Sequence, residues 1–221
     1  GVKRFIFFSS VKVNGEETFP HGRPAVFKPD DVFMPTDPYG LSKYEAEQGL
    51  LALAKETGME VVIIRPPLVY GPGVKANFAS MINWLRRGVP LPLGAINNKR
   101  SFVALDSLVS FIALCADRSQ SPKAANQVFL ISDGEDVSTT QLLRKVAEAL
   151  GKKPRLLKVP VGLMGFAARL IGKGDVANRL FGSLQVDSSK ARDLLGWQPV
   201  ITMAEQLRKT VAADLKNETT L

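Results

Sequence analysis

Residues 37–67 read DPYGLSKYEAEQGLLALAKETGMEVVIIRPP, a stretch that predicts a helix followed by a buried strand. From Leu41 onward, apolar residues alternate with Glu and Lys up to Gly58, which is typical of a helix closed by a glycine cap. The run MEVVIIRPP that follows is short, apolar and ended by two prolines, as expected of a strand buried on both faces of a sheet. A similar run, VKRFIFFS, occupies residues 2–9. A strand, a helix and a strand in this order predict an α/β protein with parallel pairing and a right-handed crossover.

Composition restricts the class of protein. The 221 residues are 45% hydrophobic and 23% charged, which is ordinary for a globular chain. No apolar run approaches the roughly eighteen residues of a membrane span, so a cytoplasmic protein is expected. The one cysteine, Cys115, lies in an apolar run and the one histidine, His21, in a loop-like segment, so we expect neither a metal site nor a Ser-His-Asp triad. The net charge of +8 comes from scattered Lys and Arg, which favours a phosphate-bearing ligand over nucleic acid.

The rest of the chain continues to alternate strand-like and helix-like segments, with no repeat and no long linker. Ser138 and Gln141 form a capping-box pattern that predicts the start of a helix ending near Gly151. We expect part of a Rossmann-like, doubly wound parallel sheet in residues 1–72 and 99–133. A smaller, mostly helical substrate-binding lobe is expected in residues 73–98 and 134–221.

Polar side chains lie where the predicted strands end, which is where open parallel sheets bind their ligands. The first strand ends at Ser9 and Ser10, and the second ends at residues 65–67, Arg-Pro-Pro. Tyr39 and Lys43 are four residues apart at the start of the helix, so they share one helical face. A nearby ammonium favours the phenolate form of a tyrosine, and a serine hydroxyl can hold a substrate oxygen. The three groups therefore suit general acid–base catalysis beside a hydride transfer.

Five motifs identify a family resemblance. They are FIFFSSVKVNG at 5–15, YGLSK at 39–43, VVIIRPPLVYGPG at 61–73, KRSFVALDSLVSFI at 99–112 and VDSSKARDLLGWQP at 186–199. With these motifs in this order, nearly the whole chain resembles the extended short-chain dehydrogenase/reductases, specifically the NAD-dependent epimerase/dehydratase family acting on nucleotide sugars. The resemblance implies that Ser10, Tyr39 and Lys43 are catalytic. Ser10 is chosen over Ser9 because the family's serine lies five residues before a glycine, here Gly15.

The resemblance also implies the cofactor and its contacts. NAD is the expected cofactor, and NADP is the alternative. Tyr39 and Lys43 are expected to contact it, Lys43 through the ribose of the nicotinamide. Pro66 and Pro67, after the second strand, are expected near the nicotinamide.

The implied substrate is a nucleotide-diphosphate sugar, UDP-linked in the expected case. Ser10 is expected to hold the sugar, and Arg100 and Arg179 to contact the diphosphate, since a guanidinium fork suits phosphate. Asn77 and Phe78 fall where the family has a uridine-contacting loop.

The implied activity is 4-epimerisation of a UDP-glucose-type substrate. The same residues would serve a 4-keto-sugar reductase or a dehydratase of the family, and these motifs do not separate the three reactions. A non-catalytic binding module is the alternative from another class, and a nucleic-acid-binding domain is a more distant one.

Three departures from the family pattern limit the comparison. No glycine-rich dinucleotide loop is present, and in the family it lies roughly a hundred residues before the catalytic serine. We therefore expect the chain to be a fragment of a longer protein, inactive by itself, and the full-length protein to be a homodimer. Leu68 replaces a family asparagine and Asn14 replaces a family tyrosine, which leaves the identity of the sugar open.

Overall fold

A computed structural model describes residues 1–18, 26–31, 35, 37–73, 77–170, 172 and 174–219, with only the backbone described at 77, 175, 176, 179 and 217–219. Its main sheet has three strands, β1 (Arg4–Phe8), β2 (Glu60–Arg65) and β5 (Gln127–Leu130), in the order β1-β2-β5. Both pairs are parallel, with Phe8 opposite Ile64 and Arg65 opposite Leu130. The central strand is buried along Val61–Arg65, which explains its almost unbroken apolar sequence. The predicted parallel sheet is confirmed.

Helix α1 (Pro38–Thr57) connects β1 to β2. It starts where the Asp37 carboxylate caps the backbone N–H groups of Tyr39 and Gly40, and Pro38 supplies a backbone angle that suits a first helical residue. It ends at Gly58, whose φ of 71° is left-handed, a conformation that glycine adopts without steric cost. The capping residues place Tyr39 and Lys43 in the first two turns, at the end of the helix nearest the site.

Arg4 holds the start of β1 against the segments that follow β2. Its guanidinium donates to Glu60 Oε2 at 2.7 Å, to Cys115 O at 2.7 Å and to Ser121 Oγ at 2.8 Å. Arg118 donates to the same glutamate at 2.6 Å. Because these bonds join residues distant in sequence, they fix one end of the sheet only after the later segments are in place.

Two short paired strands and two helices accompany the main sheet in the described part of the chain. They are β3 (Leu68–Tyr70), which pairs with β4 (Phe102–Ala104), and the helices α3 (Leu105–Ala116) and α7 (Ser189–Leu195). The core between the sheet and α3 contains Phe111, which packs edge-on against Phe129 and Trp197 at ring distances of 5.3 and 5.1 Å. Cys115 is fully buried in this core, in agreement with its apolar surroundings in the sequence.

The chain divides into two compact units. The sheet unit contains Gly1–Val69, Ser101–Glu135 and Leu184–Ile201, and the helical unit contains Tyr70–Arg100, Asp136–Ser183 and Thr202–Leu221. The sequence-based division assigned all of 134–221 to the lobe, whereas residues 184–201 group with the sheet. The reason is packing, since Ala191 and Trp197 belong to the same core as Phe111.

In the residues that the structure describes, the helical unit contains five helices. They are α2 (Asn77–Arg86), α4 (Thr139–Ala149), α5 (Val161–Leu170), α6 (Gly174–Phe181) and α8 (Met203–Thr219). The predicted capping box of α4 is confirmed, because Ser138 Oγ accepts from Gln141 N at 3.0 Å while Gln141 Oε1 accepts from Ser138 N at 2.7 Å. Helix α4 packs against α2 and α8, and α5 packs against α6.

Candidate active site

Ser10 lies just beyond the carboxyl end of β1. It caps a short 3-10 turn, Val11–Val13, and its Oγ accepts a hydrogen bond from Lys12 N at 3.2 Å. A hydroxyl that accepts one bond keeps its proton to donate, so half-buried Ser10 can still bind a substrate oxygen. The preceding Ser9 is buried, and its Oγ has no hydrogen-bond partner among the described residues. The two serines therefore differ in access, since only Ser10 is partly open.

Tyr39 and Lys43 lie side by side on α1, as their spacing predicts. Lys43 Nζ is 5.9 Å from the centroid of the Tyr39 ring, and the tyrosine is 53% exposed. Lys43 Nζ also donates to Phe8 O at 2.9 Å, which ties the helix to the last residue of β1. Ser10 lies two residues further on. The structure therefore brings Tyr39, Lys43 and the Ser10 segment to one place, the carboxyl end of the first strand.

Lys12 is a second cation beside Tyr39 that the sequence analysis missed. Its Nζ is 5.9 Å from the Tyr39 ring centroid and donates to Glu16 at 2.8 Å and to Asp37 at 3.2 Å. Burial by itself would lower the pKa of Lys12, but the two carboxylates outweigh it and raise that pKa. Its position two residues after Ser10, within the same motif, was the available signal.

Asp37 joins this second cation to the helix. Burial would raise the pKa of Asp37, but the Gly40 N–H and the Lys12 ammonium hold it below its ordinary value. The carboxylate therefore stays ionised while it caps α1 and pairs with Lys12. The Tyr39 ring, two residues further on, thus has two ammonium groups, those of Lys12 and Lys43, each 5.9 Å from its centroid.

A buried polar network supports the site from below. Arg65, at the end of β2, donates to both carboxylate oxygens of Glu47 at 2.9 and 2.5 Å. Its other amino group donates to Asn14 Oδ1 at 3.2 Å and to Pro29 O at 3.1 Å. Glu47 is four residues beyond Lys43 on α1, so the pair fixes the rotation of the helix that carries the site. Arg65 therefore supports the site rather than lining it, because the side chain is buried and all three of its guanidinium nitrogens donate to interior groups.

Pro66 and Pro67 follow β2 at the same edge of the sheet. Pro66 is half-buried and its carbonyl accepts from Val11 N at 3.1 Å, while Pro67 is buried. This bond joins the segment after β2 to the turn that Ser10 caps. The predicted cofactor contacts therefore lie next to the serine turn, and their role stays a prediction.

Apart from Ser10, the predicted substrate-binding residues belong to the helical unit. Arg100 is half-buried, pairs through its backbone with Val137, and donates from Nη1 to Gly182 O at 3.1 Å. The Phe78 ring is buried and stacks on Tyr70 with the ring centroids 6.1 Å apart. The side chains of Asn77 and Arg179 lie outside the described part of the structure, as does His21.

Two features are absent from the part of the chain that the structure describes. No cluster of three or more His, Cys, Asp or Glu side chains is arranged to bind a metal ion. None of the described helices is both long and apolar enough to cross a membrane.

Helices alternating with parallel strands, and polar groups at the carboxyl ends of those strands, define a Rossmann-like α/β protein. The model of the NAD dependent epimerase/dehydratase family matches residues 1–131, more than half of the chain. The chain belongs to this family, which confirms the resemblance inferred from the motifs.

Individual relatives agree with this assignment. The chain is 54% identical to a UDP-glucose 4-epimerase of Vibrio cholerae over 217 residues, which are 98% of this chain and 64% of that protein. It thus spans less than two thirds of the length of this relative.

Solved structures show the same fold. A UDP-glucose 4-epimerase from Thermotoga maritima, solved with UDP-glucose, superposes with a TM-score of 0.70 at 24% identity, covering 99% of this chain and 65% of that one. A UDP-glucuronic acid 4-epimerase from Bacillus cereus, solved with NAD, gives a TM-score of 0.72 at 20% identity, covering 97% and 62%.

Proposed function

We propose that the protein is an NAD-dependent nucleotide-sugar 4-epimerase acting on UDP-glucose and its C4 epimer. The observation that carries this proposal is the placement of Tyr39 beside Lys43, which is itself bonded to the end of β1 next to Ser10. The 54% identity to a UDP-glucose 4-epimerase supports the choice of substrate.

The chain's own residues divide the chemistry as follows. Tyr39, as a phenolate, removes the proton from the sugar 4-hydroxyl, and Ser10 donates a hydrogen bond to the same oxygen. The Lys43 ammonium lies 5.9 Å from the centre of the Tyr39 ring and offsets negative charge on the phenol oxygen during proton transfer. After the 4-keto intermediate has rotated in the site to present its opposite face, Tyr39 returns the proton to the 4-oxygen. Positioned proton transfer of this kind contributes roughly 10² to 10⁴ in rate.

The residues at the carboxyl end of β1 fit a nicotinamide cofactor. Lys43 uses one of its three N–H donors on Phe8 O, which leaves two for ribose hydroxyls, and Pro66 borders the same edge. NAD bound here would accept the C4 hydride and give it back. We assign Tyr39, Lys43, Pro66 and Pro67 to this contact.

We assign binding of the nucleotide part of the substrate to residues of the helical unit. Arg100 supplies a guanidinium for the diphosphate, and Asn77, Phe78 and Arg179 complete the assignment made from the sequence. Arg100→Met should raise KM for the UDP-sugar with little effect on kcat, whereas Arg87→Met, which changes an exposed arginine of the same unit, should leave both constants unchanged. An unchanged KM in Arg100→Met would remove Arg100 from the phosphate site.

Interconversion of UDP-glucose and UDP-galactose by the full-length protein tests the proposal. Tyr39→Phe should lower kcat by about 10²- to 10⁴-fold. Tyr44→Phe makes the same chemical change five residues away on the same helix and should leave kcat unchanged. Equal kcat values in the two variants would exclude Tyr39 as the base.

The two serines provide a second matched pair. Ser10→Ala should lower kcat, whereas Ser9→Ala should not, because the Ser9 hydroxyl is buried without a partner among the described residues. The reverse result would show that the family's serine is Ser9 in this chain.

Cofactor retention separates an epimerase from a reductase. An epimerase returns its hydride in each cycle and should keep NAD through gel filtration, while a reductase should exchange it and consume reduced cofactor with each product. Stoichiometric consumption would replace the epimerase by a 4-keto-sugar reductase. The proposal further takes the full-length protein to be a cytoplasmic homodimer, which sedimentation equilibrium and cell fractionation test.

A further inference from the structure

Helix α5 (Val161–Leu170) exposes an apolar face. None of its ten residues is buried, although the sequence VGLMGFAARL contains a single charge. Leu163, Phe166 and Leu170 are 61%, 61% and 72% exposed. Their i, i+3 and i+7 spacing puts all three on one side of the helix. Single exposed apolar residues are ordinary, but three on one helical face form a patch of the kind that marks an interaction surface.

The chain around α5 is basic. Residues 149–174 contain no Asp or Glu, and they contain the basic residues Lys152, Lys153, Arg155, Lys158, Arg169 and Lys173. Arg155, Lys158 and Arg169 are exposed and form no ion pair with any side chain that the structure describes. Lys152 donates to the carbonyl of Arg86. A locally uncompensated positive charge therefore accompanies the apolar face.

The segment that leads into α5 is held on the helical unit by its backbone. Leu91 N donates to Arg155 O at 2.9 Å, and Leu157 N donates back to Leu91 O at 2.8 Å. Gly94 N donates to Leu157 O at 2.9 Å, and a Cβ at Gly94 would come within 2.8 Å of Leu156 O. Leu157 in this fixed segment is another exposed apolar side chain, at 54%.

We propose that residues 152–170, named here the α5 surface, dock the protein on an anionic lipid bilayer. A short helix with Leu and Phe on one side and Lys and Arg around it lies in the plane of the interface, with its apolar side among the acyl chains. The basic residues then face anionic headgroups. Docking adds a location to the protein and does not depend on the proposed epimerase activity.

Two other occupants fit the α5 surface less well. A second copy of the chain, paired about a two-fold axis, would bring the same basic residues face to face and repel. A nucleic acid would pair with the lysines and arginines but would leave the apolar residues uncovered. An anionic bilayer complements the apolar and the basic parts together.

Vesicle sedimentation with the full-length protein tests the proposal. Vesicles of three parts phosphatidylethanolamine to one part phosphatidylglycerol should bind it at least tenfold more tightly than phosphatidylcholine vesicles, and added salt should reduce the difference. Replacing Leu163, Phe166 and Leu170 together by serine should weaken binding about 100-fold, because the variant no longer transfers three apolar side chains from water into the bilayer. The matched control replaces three exposed apolar residues outside the α5 surface by serine. They are Leu53, Val109 and Leu215, which are 42%, 54% and 46% exposed, and this variant should bind as the wild type does.

The electrostatic part has its own variant. Arg155→Gln with Lys158→Gln should weaken binding to the anionic vesicles by about 25-fold, or about fivefold per charge removed near the surface. Lys55→Gln with Lys123→Gln removes the same net charge from exposed positions of the sheet unit and should have little effect. Circular dichroism melting of each variant shows whether it remains folded.

A spectroscopic probe gives a readout apart from affinity. In a Phe166→Trp variant, vesicle binding should shift the emission of the introduced tryptophan to the blue. Lipids brominated on their acyl chains should quench this emission. Three results would overturn the proposal: equal binding to neutral and anionic vesicles, wild-type binding by the triple serine variant, or a dimer in solution that this variant abolishes. The last would make a second copy the occupant.

Discussion

Replacing Glu47 by glutamine should lower the free energy of unfolding of the sheet unit by about 3 kcal/mol. Glu47 and Arg65 are both buried, and two guanidinium nitrogens donate to the two carboxylate oxygens at 2.9 and 2.5 Å. Removing one partner of a buried pair costs about 3–5 kcal/mol, because the other charge is left without compensation. Glutamine keeps one acceptor oxygen in place, so the lower end of that range is expected.

Urea titration followed by tryptophan fluorescence measures this loss. Trp197 is buried in the core of the sheet unit, so a Trp84→Phe background makes its emission report on that unit alone. With a urea dependence of about 3 kcal/mol per molar, the midpoint should fall by about 1 M. Glu45→Gln changes an exposed glutamate two residues away on α1 and should alter the stability by less than about 0.5 kcal/mol.

A double variant separates lost charge compensation from lost packing. Glu47→Leu with Arg65→Met removes both charges and should be more stable than Glu47→Gln alone. Recovery should stay incomplete, because the oxygens of Asn14 and Pro29 that Arg65 supplies with donors lose them. If Glu47→Gln and Glu45→Gln unfold at the same urea concentration, the buried pair does not stabilise the helix that carries the site.

Three further predictions concern titration, reactivity and capping. Hydrogen bonding from Arg118, opposed by burial and aided by Arg4, lowers the pKa of Glu60 from 4.5 to about 2. The stabilisation that comes from ionised Glu60 is fully present above pH 4.5 and is lost as the pH falls through about 2. In the Glu60→Gln variant the urea midpoint should therefore change less between pH 4.5 and 2 than in the wild type. Burial, partly offset by Arg4, raises the pKa of the Cys115 thiol to about 12, so a maleimide at pH 8 should label the unfolded protein but not the native one. Asp37→Ala should cost about 1 kcal/mol in the same urea assay, whereas Asp37→Ser should retain most of the cap; equal losses would argue against capping.

Local sequence patterns predicted several elements of both units. The helix end at Gly58, the capping box at Ser138 and the buried strand at residues 60–65 each depend on residues close together in the chain, and the structure confirms all three. The juxtaposition of Tyr39 and Lys43 was predictable for the same reason, since a spacing of four residues places two side chains on one helical face.

Contacts between distant residues could not be predicted in this way. Lys12 reaches Asp37 across 25 positions, and nothing in the short turn sequence indicates that the two will meet. The sequence placed Arg65 at the end of the second strand and indicated no partner for it; it pairs with Glu47, because only the folded helix brings that carboxylate beneath the strand end. The same limit explains the 184–201 segment, whose sequence looks like a loop and a helix of the lobe but whose Trp197 packs on Phe111.

The bonds of Arg4 also set an order of events during synthesis. The β1 and β2 strands can pair once the crossover helix has emerged, but Arg4 and Ser121 are 117 positions apart. At about 5–20 residues per second, the ribosome needs roughly 6–23 seconds to make the intervening chain. During that interval the Arg4 guanidinium lacks its acceptors on Cys115 and Ser121, which have not yet been synthesised. In this state β1 and β2 are joined by strand pairing and by the bond from Arg4 to Glu60, while the bonds from Arg4 to Cys115 and Ser121 still have to form.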